Sequence, residues 1–147
     1  MIEKVINTQK AADEIAFIEK HCFSTPWSAD QIKSSDDSTV FFIAKENNQT
    51  VGYAGMYTVL DEGYVTNVGV LPQYRKKGIG RALVQELINY SKNKDLAFLS
   101  LEVRVSNDAA IGLYSSFDFK EVGKRKNFYS NPKEDALIMT RYFKNEF

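Results

Sequence analysis

Cysteine and histidine are nearly absent: the 147-residue chain holds one of each, Cys22 and His21. A single cysteine forbids an internal disulfide, which suits a reducing compartment. One histidine beside one cysteine builds neither a typical zinc set nor a Ser-His-Asp triad, so no metal site is expected. We read Cys22 as a small buried residue of a helix face and His21 as a surface or cap residue. Net charge is missing too, since nineteen basic residues cancel nineteen acidic ones. No overall field therefore favours nucleic acid or an anionic membrane as partner. The longest uncharged and largely apolar run, Val51 to Leu60, is far too short to span a bilayer. The opening MIEKVINTQKAADEIAF is charged where a signal peptide needs an apolar core, and the expected location is cytoplasmic. Linkers, repeats and low-complexity tracts are lacking as well. Residues 1–147 thus read as one domain, long enough to bury a full core.

What is present is a mixture of the two hydrophobic periods. MIEKVI (1–6) suits a short strand. Between Gln9 and Cys22, the residues Ala11, Ile15, Ile18 and Cys22 recur on one helical face. After the loop FSTPWS, Ser28 with Gln31 makes a capping box that predicts a short second helix. TVFFIAKE (39–46) and TVGYAGMYTVL (50–60) predict an antiparallel hairpin around Asn47-Asn48-Gln49, and GYVTNVGVL (63–71) a further strand ending before Pro72. Ile79 to Ser91 reads as a helix with Ala82, Leu83, Leu87 and Tyr90 on one face. LAFLSLEVRV (96–105) alternates, with Leu99, Leu101, Val103 and Val105 opposite Ser100, Glu102 and Arg104. A short helix over 107–117 and two strands, DFKEVGKRKNF and DALIMTRYF, close the chain. The order predicts an α/β fold of the mixed α+β kind, not the regular alternation of a doubly wound sheet.

QYRKKGIGRALV (73–84) places Arg75, Lys76 and Lys77 before Gly78-Ile79-Gly80, at the mouth of the crossover helix. Glycine permits close backbone approach, and the unpaired amides of a helix start suit a phosphate. A P-loop needs a second glycine five residues after the first, and a dinucleotide fingerprint needs Gly or Ala three residues after Gly80. Leu83 stands at both positions, so both readings fail. What remains, Arg75-x-x-Gly78-x-Gly80, is by itself either an anion-binding turn or a solvated loop.

These residues, in this order of elements, resemble the GNAT superfamily of acetyltransferases. The signature of that family is Q/R-x-x-G-x-G/A between the fourth strand and the next helix. Over nearly its whole length the chain is similar to the RimI-type enzymes, through CFSTPWS (22–28), YVTNVGVLPQYRKKGIGRAL (64–83), LEVRVSNDAAIGLY (101–114) and NFYSNPKEDALIM (127–139). The resemblance implies a central mixed, largely antiparallel sheet flanked by helices. It implies acetyl-coenzyme A as co-substrate, no metal, and as acceptor the N-terminal alanine of a small-subunit ribosomal protein. By correspondence Glu102 is the general base and Tyr114 the general acid. The turn from Arg75, Lys76 and Lys77 through Gly78, Ile79, Gly80 and Arg81 holds the pyrophosphate. Asn107 touches the pantetheine arm, and the backbone of Val68, Gly69 and Val70 receives the acetyl group. Trp27, Phe128 and Tyr129 are the aromatic candidates for a peptide groove. Three positions depart from the pattern: Asp118 where glycine is usual, Gly69 for alanine and Phe128 for tyrosine. Aspartate tolerates a left-handed turn, whereas Phe128 removes a hydroxyl from the substrate side.

Acetyl transfer needs a neutral amine. An α-amino group has a pKa near 7.7–8.0 and a lysine near 10.4, so a carboxylate such as Glu102 has about 2.5 units less to overcome with a chain end. Three readings follow. The first is a protein N-terminal acetyltransferase. The second acetylates a small-molecule amine, such as a polyamine or aminoglycoside, or a protein lysine. The third is a non-catalytic acyl-coenzyme A binding module. A binder needs neither Glu102 nor Tyr114, and the PWS and NFYSNPKEDALIM loops favour a peptide over a small amine.

Overall fold

The computed structural model describes residues 1–5 and 8–144. The expected opening strand is β1 (Ile2–Val5), residue 6 lying outside the described residues. Thr8 caps α1 (Gln9–Cys22) by accepting from the Ala11 amide, and the Ser28–Gln31 capping box starts α2 (Ala29–Lys33). β2 (Thr39–Glu46) turns into β3 (Gln49–Val59) through Asn47 and Asn48, at φ 49° and 65°. Positive φ at both central residues is what a two-residue hairpin turn needs, and asparagine tolerates it. β4 (Glu62–Val70) follows, then a single 3₁₀ turn at Pro72–Tyr74. Next come α3 (Ile79–Asn93), β5 (Phe98–Arg104), α4 (Asp108–Ser116), β6 (Lys120–Ser130) and β7 (Lys133–Tyr142). Asp118, between α4 and β6, takes the left-handed conformation expected of it, with φ 66°.

The strands form one seven-stranded sheet in the order β1-β2-β3-β4-β5-β7-β6. The mixed, largely antiparallel sheet inferred from the sequence is the one observed: β4 and β5 are parallel and the other neighbours antiparallel. A parallel pair needs a crossover, here α3. Its register covers only Glu62–Tyr64 against Phe98–Ser100. Just beyond, β4 bulges against β3: Gly55 opposes Asn67 while Met56 opposes Val65, leaving Thr66 without a partner residue. A bulge bends its strand and raises the local twist. β4 therefore stays with β3 and parts from β5.

Helices cover both faces of the sheet. Tyr53 of β3 bonds Glu19 on α1, while a Cβ on its neighbour Gly52 would lie 3.4 Å from Leu83 of α3. Successive strand residues point to opposite faces, so α1 and α3 lie on opposite sides. On α1 the expected stripe is buried at Ala11, Ile15 and Ile18, but Cys22 is only half-buried, its thiol donating to the Val70 carbonyl at 3.3 Å. Its side chain borders the space left where β4 parts from β5, which explains the difference. On α3 the buried face is Leu83, Val84, Leu87, Ile88 and Ser91, not Ala82 and Tyr90. Tyr90 reaches the rim instead, its ring edge-on to Phe42 at 6.0 Å between Lys4 and Lys94. Ser91 is accommodated because its hydroxyl donates back to Leu87 O at 2.8 Å. Each buried Leu or Ile contributes about 1.5–3 kcal/mol, which fixes α3 against the sheet and with it the turn that precedes it.

Candidate active site

The parting of β4 from β5 opens a cavity of about 570 Å³. Of the residues singled out in the sequence, Val68, Glu102, Asn107, Tyr114, Phe128 and Tyr129 line it. Beyond Tyr64, β4 has no ladder partner on its β5 side, so alternate backbone groups there are unpaired, as on a sheet edge. Gly69 is packed tightly against the end of α1: a Cβ would stand 3.3 Å from both Ile18 and Phe23 and 3.4 Å from Cys22.

Glu102 stands between buried Leu101 and Val103, and the alternation of β5 turns its carboxylate to the open side. Its Oε2 accepts from Arg125 Nε at 2.6 Å, and a third of the side chain remains exposed. Arg104, its neighbour on the same strand face, is engaged elsewhere, with Glu134 at 3.2 Å and against the Tyr129 ring at 4.3 Å. Tyr114 is buried on α4, its ring edge-on to Phe119 at 5.7 Å, and its hydroxyl has no hydrogen-bond partner among the described residues. Burial, with a smaller contribution from Tyr129, pushes its phenol above the ordinary value. Tyr129 is raised in the same direction, by burial first and then by the Glu102 charge. Phe128 is half-exposed and edge-on to Tyr129 at 5.0 Å. Asn107 caps α4, its Oδ1 accepting the Ala110 amide at 3.2 Å, which leaves its side-chain N–H₂ for another partner.

The glycine turn lies outside the cavity lining, at the start of α3. Gly78 is the N-cap with φ 85°, and Ala82 N–H to Gly78 O is the first bond of the helix. The amides of Ile79, Gly80 and Arg81 thus have no intrahelical acceptor, and those of Lys76, Lys77 and Gly78 make no backbone bond among the described residues. A run of unpaired amides at a helix start fits a pyrophosphate. The cations divide. Lys76 and Lys77 are exposed beside the turn, with Lys77 over the Tyr74 ring. Arg75 folds back, its Nε donating to Val70 O at 2.9 Å and Nη2 lying 3.7 Å from Cys22 Sγ. Arg81 reaches α4, donating to Ser116 Oγ at 2.9 Å above the Phe117 ring.

Trp27 is exposed and does not line the cavity; Phe23, Ser24 and Thr25 supply that wall. Sequence reasoning missed these three, together with Asn67, Arg125 and Glu19. Glu19 is fully buried and accepts from Trp27 N, Tyr53 OH and Asn67 Nδ2. A signal for it existed, because it stands four residues after Ile15 on the buried face of α1. Nothing local marked Arg125 as the partner of Glu102.

Residues 7–119 match the acetyltransferase (GNAT) family. The [ribosomal protein bS18]-alanine N-acetyltransferase of Escherichia coli (strain K12) is 38% identical over 125 residues, covering 83% of this chain and 84% of that protein. The enzyme of the same name from Haemophilus influenzae is 39% identical over 129 residues, covering 85% and 88%. A crystal structure of the ribosomal-protein-S18-alanine N-acetyltransferase from Escherichia coli matches with a TM-score of 0.89 at 33% identity, over 100% of this chain and 97% of that one.

Proposed function

The chain belongs to the acetyltransferase (GNAT) family, and from that premise we propose that it acetylates the N-terminal alanine of ribosomal protein bS18. The supporting observation is the open β4–β5 wedge, where Glu102 and Tyr114 face one cavity rimmed by Phe128 and Tyr129. Acetyl-coenzyme A brings the acetyl thioester. The amides from Lys76 to Arg81, with Lys76 and Lys77 beside them, suit its pyrophosphate, and the N–H₂ of Asn107 suits its amide-bearing arm.

In the reaction the amine nitrogen bonds to the thioester carbon and the carbon–sulfur bond breaks. Glu102 takes the proton that the attacking nitrogen sheds, directly or through water. A carboxylate is a weak base, and an α-amine needs about 3.4 kcal/mol less help than a lysine at neutral pH. Tyr114 keeps its proton across the neutral range, as any phenol does and as burial reinforces, and it presents that hydrogen to the departing thiolate. An unpaired amide of β4 near Val68 is available to the carbonyl oxygen as it gathers charge. Residues 1–147 act as one catalytic domain in this reading, and the cytoplasm is its location. Among the described residues no helix is long and apolar enough to cross a membrane.

One mass-spectrometric competition tests the proposal. Acetyl-coenzyme A is offered with a peptide carrying the bS18 N-terminal sequence, a blocked peptide with one free lysine, and a polyamine. Preferential acetylation of the free alanine end is expected. Equal or faster modification of the lysine or the polyamine refutes the acceptor, and no modification of any amine refutes catalysis.

A further inference from the structure

Glu19 is the one fully buried charged residue among the described residues. No cation partners it in a salt bridge there. A buried carboxylate is costly unless donors satisfy it, and an apolar side chain would fill the same helix face without that cost. Three donors satisfy this one, and each comes from a different segment. Oε1 accepts the Trp27 amide at 2.8 Å. Oε2 accepts the Tyr53 hydroxyl of β3 at 2.5 Å and the Asn67 side-chain amide of β4 at 3.0 Å. Burial and then the Glu19 charge raise the Tyr53 phenol, so Tyr53 stays a donor.

The tethered segments are those that border the cavity. The chain leading to Trp27 supplies one wall through Phe23, Ser24 and Thr25, and Asn67 lies on the wall beside Val68. Asn67 is also the residue next to the unpaired Thr66, where β4 bends away from β5. Thr66 Oγ1 is buried with no hydrogen-bond partner, so the bulge is not held by its own side chain. Beyond the β3 ladder on either side, the side chain next to it, Asn67, is bonded to Glu19. We propose that Glu19 is a positioning residue that ties the acceptor-side loop to the bulged part of β4. It thereby fixes the distance between the incoming amine and the backbone that receives the acetyl group. The role rests on the acetyl-transfer reading of this cavity.

Trp27 is the chain's only tryptophan, so its fluorescence reports on the tethered loop alone. Glu19→Gln keeps the size but replaces one acceptor oxygen with a donor. The expected result is a folded variant, by circular dichroism, with red-shifted Trp27 emission and easier acrylamide quenching. On whichever acceptor the parent acetylates, kcat/KM should fall by about 10- to 100-fold, since a displacement near 1 Å costs about that much. Acetyl-coenzyme A affinity by calorimetry should stay within about twofold, because its turn is held by α3 and not by Glu19. Tyr53→Phe removes one donor and spares the Trp27 bond, so it should leave the emission at the parent's position and lower kcat/KM by less. Parental kcat/KM in folded Glu19→Gln overturns the proposal, whether or not the emission shifts. If Glu19→Gln does not fold, parental kcat/KM in Tyr53→Phe overturns it. A parent that ignores alanine peptides refutes the acceptor assignment instead, and the Trp27 signal still decides whether the tether exists.

Discussion

The two glycines of the anion turn should respond to the same substitution with opposite signs in stability. Gly78 has φ 85°, and no atom lies within 4 Å of where its Cβ would stand. Space is therefore not the constraint; backbone conformation is. Forcing an alanine into the left-handed region costs about 1–2 kcal/mol. For a chain of this length that is a melting point lower by about 2–8 °C, at roughly 2–4 °C per kcal/mol. Gly80 lies inside α3 without a positive φ, and a Cβ there would meet only Leu113 of α4, at an ordinary 3.6 Å. Alanine should raise helix stability by about 0.5–1 kcal/mol and the melting point by about 1–4 °C. Acetyl-coenzyme A binding should weaken in both. Gly78→Ala weakens it only as far as the turn shifts to relieve that strain, at most about 5- to 30-fold for the whole 1–2 kcal/mol. Gly80→Ala sets a methyl among the amides, for which we expect roughly tenfold, or about 1.4 kcal/mol. Thermal melts and calorimetry on the two variants give all four numbers. A Gly78→Ala protein that melts with the parent refutes the conformational argument. Parental affinity in both variants shows that the pyrophosphate is held elsewhere.

Glu102→Gln should slow acetylation of an alanine-start peptide most at low pH, the deficit shrinking as pH rises past about 8 and solution deprotonates the amine. A pH–rate profile of both proteins checks this, and a pH-independent ratio removes Glu102 as base. Tyr114→Phe should lower kcat on the order of 10²–10⁴-fold with acetyl-coenzyme A affinity unchanged; a kcat within about twofold of the parent makes Tyr114 a packing residue. Glu134 has its carboxyl held below the usual 4.5, by hydrogen bonding from Ser106 first and then Arg104. Unfolded, that group binds its proton more readily, so its stabilisation is present above pH 4.5 and lost as pH falls through the lower folded value. The melting-point gap between parent and Glu134→Gln should therefore narrow between pH 5 and pH 3, and a constant gap contradicts the assignment.

Features that rest on neighbours in the chain were legible in the sequence. The capping box at Ser28, the asparagine pair of the hairpin and the left-handed Asp118 each depend on a few adjacent residues. The outward direction of Glu102 followed from the alternation of β5. Features that rest on pairing between distant segments were not. The bulge at Thr66 exists only relative to β3, since GYVTNVGV is an unremarkable strand until Met56 is set against Val65. The Arg125 partner of Glu102 comes from a strand two places along the sheet, across β7. The α3 face was misjudged by one position because two adjacent stripes, 83/87 and 84/88, are both apolar, and only the seat on the sheet chooses how they share it. Aromatic content placed Trp27 in the groove, yet what reaches the neighbouring wall through Glu19 is its backbone amide, which any residue type supplies.

The single parallel pair explains why the pieces of the site gather where they do. Parallel strands end at the same edge of a sheet, so the helices that follow them begin side by side. α3 follows β4 and α4 follows β5, which brings the free amides after Gly78 and the Asn107 cap to one end of the wedge. The start of α3 also packs on the later half of α4: Arg81 of its first turn donates to Ser116, the last residue of α4, and a Cβ on Gly80 would meet Leu113. Antiparallel pairing of β4 and β5 would send the two helix starts to opposite edges and leave an anion turn with no neighbouring cavity. The ladder between β4 and β5 must also stop early, or the strands would close the space that Glu102 and Tyr114 face. Topology sets the helix starts together and the Thr66 bulge keeps the strands apart; both are needed, and neither involves a residue that does chemistry.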